Sequence, residues 1–299
     1  MITKYSYRGV HWIDLDCPTY EEVTSIAEQF KLNAVLASEL LTPTLKSKVD
    51  LYREYLYLVL HFPAIKNFHV GSTSQEIDFI VGKNFIITAH YDTIDPLQEF
   101  AKVFEVQSIL DRGDMGDHAG YVLYHLLQHI YKRTEDEIEH IKERTATIEQ
   151  EIFSGKETQM VFEISKVSHD ILDITNAIRH HENTLDSLSV AAVRFFGSDF
   201  EFPMVIIKNE QFRIRNELNN HKDLISELRA TNNTLVSTKQ NEAMKQLSVS
   251  AFIFLPLGIM ATLLQIDFVS RPHDFLFTIA GLVILGLFLY AFSKRKKWL

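Results

Sequence analysis

Several groups of side chains in this 299-residue chain have the types and spacing that chemistry requires. His125 and His129 stand four residues apart, which on a helix puts both imidazoles on one face at the spacing of two metal ligands. No third ligand can be assigned to them, and ordinary surface or interface histidines share that spacing. The adjacent His180 and His181 form a weaker pair of the same kind. Glu135-Asp136-Glu137 and the pair Asp170/Asp173 are carboxylate clusters suited to divalent cations, and equally suited to a solvated acidic face. There is no phosphate-binding glycine loop, no complete metal-ligand set and no nucleophile motif, so the chain is not expected to be an enzyme and no prosthetic group is implied. The single Cys17 suits a reducing compartment and excludes an internal disulfide.

Charge sorts the chain more sharply than these clusters do. The net charge is −9 although the tail Lys294-Arg295-Lys296-Lys297 adds +4, which leaves −13 for everything before it. That balance argues against nucleic acid as a partner and is compatible with a domain that attracts divalent cations. Between Lys245 and Asp267, and again between Asp274 and Lys294, there is no Asp, Glu, Lys or Arg; the gaps hold 21 and 19 residues. At about 1.5 Å of rise per residue, a helix of either length crosses a hydrocarbon core roughly 30 Å thick. Only the eight residues Asp267–Asp274 separate them, so two spans there form an antiparallel hairpin with both chain ends on one side. The basic tail beside Trp298 puts that side in the cytoplasm, giving a multi-pass protein of the inner or plasma membrane with N- and C-termini cytoplasmic. The N-terminus lacks an apolar signal-peptide core, so insertion relies on the C-terminal spans. The alternative is a pair of buried core helices in a soluble protein.

The elements that would position these groups follow from periodicity. Residues 1–116 read as α/β. Val49–His61 and Glu76–His90 are rich in β-branched and aromatic residues, and Gly82-Lys83-Asn84 breaks the second run as a hairpin turn does. Thr19 followed by Glu22 has the form of a helix N-cap with its capping box. From Gly120 to residue 190, Leu, Ile and Val recur at helical spacing, and Gly197–Pro203 reads as a connector. Beyond it Ile207, Ile214, Leu218, Ile225, Leu228 and Leu235 recur without Pro or Gly until Pro256, which predicts one helix from about Pro203 to Leu264, roughly 90 Å long. Two helices broken near Thr231–Thr234 are the alternative. The expected divisions are an α/β domain (1–116), a helical region (117–202), a stalk helix (203–246), a first span (247–266), a loop (267–274), a second span (275–293) and a basic tail (294–299).

Asn241-Glu-Ala-Met244-Lys-Gln-Leu247-Ser, then Phe254-Leu-Pro256-Leu257, then the closing Lys294-Arg-Lys-Lys-Trp-Leu299 resemble the CorA family of divalent-cation channels. His11-Trp-Ile-Asp-Leu-Asp-Cys-Pro18-Thr19 and Gly82-Lys-Asn-Phe-Ile-Ile-Thr88 resemble recurring stretches of that family's cytoplasmic domain. The resemblance implies a funnel-shaped homopentamer with an α/β cytoplasmic domain, in which the stalk helix becomes the pore-lining helix and a second helix surrounds it. It implies that Asn241, Met244, Leu247, Ala251, Leu255, Gly258 and Thr262 line the pore or its gate. Mg2+ or other divalent cations are then the transported ions and candidate regulatory ions, and the partners are the lipid bilayer and four further copies of the chain. The family's Gly-Met-Asn signature aligns with Gln265-Ile266-Asp267, so the selectivity mouth is altered, with Asp267 as the residue expected to meet the metal. Two residues span about 200° of helix, so Gln265 faces away if Asp267 faces the axis and the helix persists. The competing expectations are a channel of the same build for Zn2+, Co2+ or less selective cation flow, one gated by a small ligand, and a membrane-anchored sensor or scaffold that conducts nothing.

Overall fold

The computed structural model describes residues 1–44, 46–64, 74–92, 94–110, 118–265 and 272–295. β1 (Ile2–Tyr7) and β2 (Val10–Asp16) form an antiparallel hairpin. Its turn puts Arg8 and Gly9 at φ of 45° and 84°, the left-handed pair that matches the twist of two-residue hairpins. α1 (Tyr20–Phe30) begins with the expected capping box: the Thr19 hydroxyl accepts the Glu22 N–H, and the Glu22 carboxylate accepts the Thr19 N–H. A short α2 (Ala34–Glu39) follows, capped by the Asn33 side chain.

The first apolar run divides into β3 (Lys48–Leu51) and β4 (Leu56–Pro63), because Tyr52 N–H bonds Tyr55 O to close a turn over which the two rings stack. The second gives β5 (Ser74–Val81) and β6 (Phe85–His90), antiparallel about the expected turn. The sheet order is β1-β2-β6-β5-β4-β3, with β2 and β6 its parallel neighbours. One face buries Ile13, Leu15, Tyr57, Val59, Ile80 and Ile87 against α1 and α2. The other carries Trp12, packed on Phe100 and Phe104 of α3 (Asp95–Leu110).

Three helices come next: α4 (Ala119–Phe153), α5 (Glu157–Ala177) and α6 (His181–Phe196). The expected connector at 197–203 is shorter than the sequence suggests. A single 3-10 turn, Ser198–Phe200, leads straight into α7 (Glu201–Gln265), so Pro203 lies in the first turn of the helix, where its missing N–H has no bond to lose. α7 is one helix and runs through Thr231–Thr234, where the Thr234 hydroxyl bonds back to Ala230 O. α8 (Pro272–Arg295) is the last element.

The chain divides into two compact units: Met1–Glu151 with Phe162–Leu228, and Ile152–Val161 with Arg229–Leu299. The first holds the sheet and its two packed faces. In the second, Met244, Leu247, Phe254 and Leu255 of α7 and Ile284, Leu287 and Phe288 of α8 are 61% to 70% exposed. Among residues whose side chains are described, no helix is long and apolar enough to cross a membrane; the charge-free stretches 246–266 and 275–293 both extend beyond that set.

Candidate functional site

The distal half of α7 carries most of the residues expected to line a conduit. At about 100° per residue, Met244, Leu247, Ala251, Leu255, Gly258 and Thr262 fall within one arc of about 80°, and Asn241 stands about 40° beyond its edge. All seven are exposed. Val249, which is buried, and Ile253 and Leu257, which are half-buried, fall on the opposite arc. α8 meets α7 there: a Cβ on Gly286 would lie 3.4 Å from Leu257 Cδ1. A Cβ on Gly258, by contrast, would meet nothing within 4 Å. The helix therefore has one face turned to α8 and one face without a partner, and the expected pore residues occupy the second. Pro256 removes one donor from the backbone ladder, yet α7 continues through it. The Thr262 hydroxyl is turned back on the helix, 3.0 Å from Gly258 O and 2.8 Å from Ile259 O, which leaves its oxygen lone pairs on the open side. Position 265 lies three residues on and within about 60° of Thr262, so it belongs to the open arc. Ile266 and Asp267 lie outside the described residues, and the metal contact expected of Asp267 with them.

Five residues before Met244, Lys239 Nζ lies 2.6 Å from Glu157 Oε2 and 3.2 Å from Gly155 O, at the α4–α5 turn. The Glu157 side chain is buried, and its hydrogen bond from Lys239 holds the carboxyl below its ordinary range. Nothing in the local sequence singles out this pair, because the two residues are 82 positions apart.

The histidine and carboxylate groups separate in the structure. His129 packs on the Phe100 ring and faces Glu99 Oε2 at 3.5 Å, while His125 packs on Tyr124. Glu135 reaches Lys132 (3.1 Å) and Arg213 (3.0 Å), and Asp136 reaches Arg133 (3.2 Å). Glu137, Asp170 and Asp173 do share a groove of about 380 Å3 with His140 and Arg144, where Arg144 pairs with Asp170 at 2.6 Å. Among the described residues no three His, Cys, Asp or Glu side chains are placed to hold one metal ion. His181 is a core residue: the Tyr131 hydroxyl donates to its Nδ1 (2.7 Å), and its Nε2–H donates to His61 O (2.7 Å). Burial pushes this imidazole down to about 3, so it stays neutral and ties α4, α6 and β4 together.

A polar cluster that sequence reasoning missed lies on the α1/α2 face of the sheet. Asp78 is fully buried; Tyr91 donates to its Oδ2 (2.9 Å) and Tyr57 to its Oδ1 (3.3 Å). Glu76, one pleat away, accepts the Thr44 N–H (2.7 Å) and faces His61 Nε2 at 3.2 Å. Burial first, then the neighbouring Glu76, pushes the Asp78 carboxyl up to about 7, against the pull of the two phenols. The signal was available: an acid in the middle of the apolar run Ile77-Asp78-Phe79-Ile80 is out of pattern for a buried strand.

The cobalt/magnesium transport protein CorA of Thermotoga maritima is 22% identical over 99% of this chain and 83% of its own length. The putative metal ion transporter YfjQ of Bacillus subtilis is 19% identical over 88% of this chain and 80% of its own length. The solved CorA magnesium transporter of Methanocaldococcus jannaschii superimposes with a TM-score of 0.81 at 15% identity, covering 100% of this chain and 94% of that one. The fold is therefore CorA-like, with the α/β body and the long helix in common. The family model described as CorA-like Mg2+ transporter protein matches residues 7–295. An unpartnered face on a long C-terminal helix, an α/β body with this strand order and a match over nearly the whole length agree: the chain belongs to the CorA-like Mg2+ transporter family, a family of transporters and not of enzymes.

Proposed function

We propose that this chain forms a CorA-like pentameric membrane channel for divalent cations, Mg2+ favoured, with a selectivity mouth altered at Gln265-Ile266-Asp267. The observation that carries this reading is the open arc of α7. Its exposed Met244, Leu247 and Leu255 have no partner in one copy, while the opposite arc is turned to α8. Five copies around an axis would close that arc on itself and turn each residue into a ring. The cobalt/magnesium transport of the Thermotoga maritima relative supports divalent cations as the cargo. The two charge-free stretches, 247–266 and 275–293, would be the spans, with both termini cytoplasmic in the inner or plasma membrane.

Rings of Met244, Leu247 and Leu255 make narrow apolar constrictions. Such a constriction dewets and opposes a hydrated divalent ion without a physical plug, and slight splaying of the helices rewets it. Beyond them Gly258 widens the path, and Thr262 offers oxygens that accept hydrogen bonds from a hydration shell. Mg2+ gives up first-shell water reluctantly, so a wet, acceptor-lined route suits it. Five Asp267 carboxylates at the mouth concentrate cations and, being crowded, raise one another's pKa. They hold cations more tightly than amides do, and charge alone discriminates poorly among cations. Magnesium preference is therefore weaker than in members with the Gly-Met-Asn signature.

The test is flux into liposomes carrying the purified full-length assembly, with Mg2+, Co2+, Zn2+ and monovalent ions compared side by side. Asp267→Asn is expected to sharpen the preference for Mg2+. Unchanged flux and unchanged selectivity in that variant would refute the account of the mouth, and absence of any flux would leave a membrane-anchored scaffold.

A further inference from the structure

We propose that Lys239 and Glu157 form a latch that docks the tip of the α4–α5 hairpin onto α7 and sets the resting position of the inner end of the conduit. The docking is a fact of geometry. Lys239 Nζ reaches both the Glu157 carboxylate (2.6 Å) and Gly155 O (3.2 Å), so one ammonium ties the turn after α4 to the first residue of α5. Gly155 turns the chain there at φ 96°, a conformation that suits glycine, and a Cβ at that position would lie 3.7 Å from Lys239 Nζ. The two partners differ in environment: the Glu157 side chain is 6% exposed and that of Lys239 56%. A carboxylate with so little water depends on its cation, so loss of the cation undocks the tip or forces Glu157 to take up a proton.

Position on α7 is what turns this contact into a device. Lys239 precedes Asn241 by two residues and Met244 by five, about 3 Å and 8 Å along a continuous helix, so force applied at Lys239 acts on the first expected ring. Seven residues earlier, and therefore on nearly the same face, Asn232 is 1% exposed with neither its amide nitrogen nor its amide oxygen hydrogen-bonded. A buried amide without partners costs stability, because the same volume filled by an apolar side chain would be more stable. The latch is one ion pair and one carbonyl contact, and a destabilising buried amide lies two turns away on the same helix.

The latch itself stands on these contacts, and its effect on ion flow rests on the channel reading above. Spin labels at Thr158 and Gln240, on a Cys17→Ser background of the full-length protein in liposomes, report the tip-to-helix distance while Mg2+ entry is followed in the same samples. Lys239→Met is expected to lengthen and broaden that distance and to raise the initial rate of Mg2+ entry by at least about fivefold, the lower end of what a coupled contact yields. Lys239→Arg, which keeps the cation, is expected to behave as the parent. An unchanged distance in Lys239→Met overturns the latch. A changed distance with unchanged entry overturns its coupling to the conduit. If the parent passes no ion at all, the channel reading fails while the distance still decides the latch.

Discussion

In the first unit Trp12, Tyr57, Phe79 and Phe104 are fully buried, whereas in the second Met244, Phe254, Leu255 and Phe288 stand 61% to 70% exposed. Buried polar groups do not divide in the same way. His181 and Asp78, deep in the first unit, each have hydrogen-bond partners on two sides, but Glu210 Oε2 and His221 Nδ1 in the first unit, like the Asn232 amide and the Ser293 hydroxyl in the second, are buried with none. The first unit buries its large core side chains within one copy of the chain. The second leaves many of its own exposed. Apolar surface left in water forgoes about 25 cal/mol for every Å2, so helices of this composition are stable only where something else covers them. For α7 and α8 the cover proposed above is lipid on one side and copies of the same chain on the other. The contrast teaches that the two units answer to different solvents, and it can be broken experimentally one residue at a time.

The largest effect is expected at Trp12. Its ring is enclosed by Tyr5, Phe100 and Phe104, and its Nε1–H donates to the Thr88 hydroxyl at 3.0 Å. Trp12→Ala leaves a cavity and removes the bond that the Thr88 hydroxyl accepts, though that hydroxyl still donates to Asp14, and should destabilise the first unit by about 4 kcal/mol, read by circular dichroism during denaturant unfolding of the full chain. A loss below about 1 kcal/mol would mean that this core is looser than its burial suggests, and the contrast between the units would lose its firmer side.

A smaller effect, set by pH, is expected at Asp78. Its carboxyl keeps a proton up to about pH 7 in the folded protein but releases it near 3.8 in the unfolded chain. A raised carboxyl pKa favours the fold at low pH and penalises it increasingly as pH climbs through 4 to 7, after which the penalty is constant. Asp78→Asn keeps the shape, accepts one phenol with its amide oxygen and donates its NH2 to the other phenol oxygen, but cannot ionise. Its stability advantage over the parent should therefore grow by roughly 3 kcal/mol between pH 5 and pH 8, the part of the displacement, at about 1.4 kcal/mol per pH unit, that falls in this window. The measurement is the slope of unfolding free energy against pH. An advantage that does not change over this range would show that Asp78 is ionised throughout.

Much of the scaffold could be read from local pattern. The Thr19–Glu22 capping box, the hairpin at Gly82–Asn84 and the unbroken α7 follow from rules that act within a few residues, and each stands in the structure as expected. The period marked out an arc of α7, but periodicity alone could not tell a pore face from a helix contact. The resemblance pointed to the former, and with α8 against Leu257 that arc stands without a partner in one copy. What could not be read were the pairings made across long separations. Lys239 meets Glu157 across 82 residues and His181 meets His61 O across 120, and no spacing rule reaches that far. The histidines could not be sorted for the same reason. Identical at the level of sequence, His129 proved to be half-buried beside a phenylalanine ring and His181 a neutral strut in the core, because environment and not spacing decides what an imidazole does.

The smallest effect on folding is expected at Phe254, and it probes the other side of the contrast. With 70% of its surface open in one copy, this ring contributes little to the packing of either unit. If a single copy were the finished molecule, Phe254→Ala would be neutral or slightly favourable, since it removes apolar surface from water. If copies or lipid cover the ring, the cost appears elsewhere. The unfolding free energy of the first unit should then shift by less than about 0.5 kcal/mol, while the fraction of assembled protein in detergent falls on dilution at a higher concentration than for the parent. The two readouts separate folding from assembly in one variant. A change in unfolding larger than that in Trp12→Ala would invert the contrast, and an unchanged assembly would assign this ring to lipid alone, because only a contact between copies weakens with dilution.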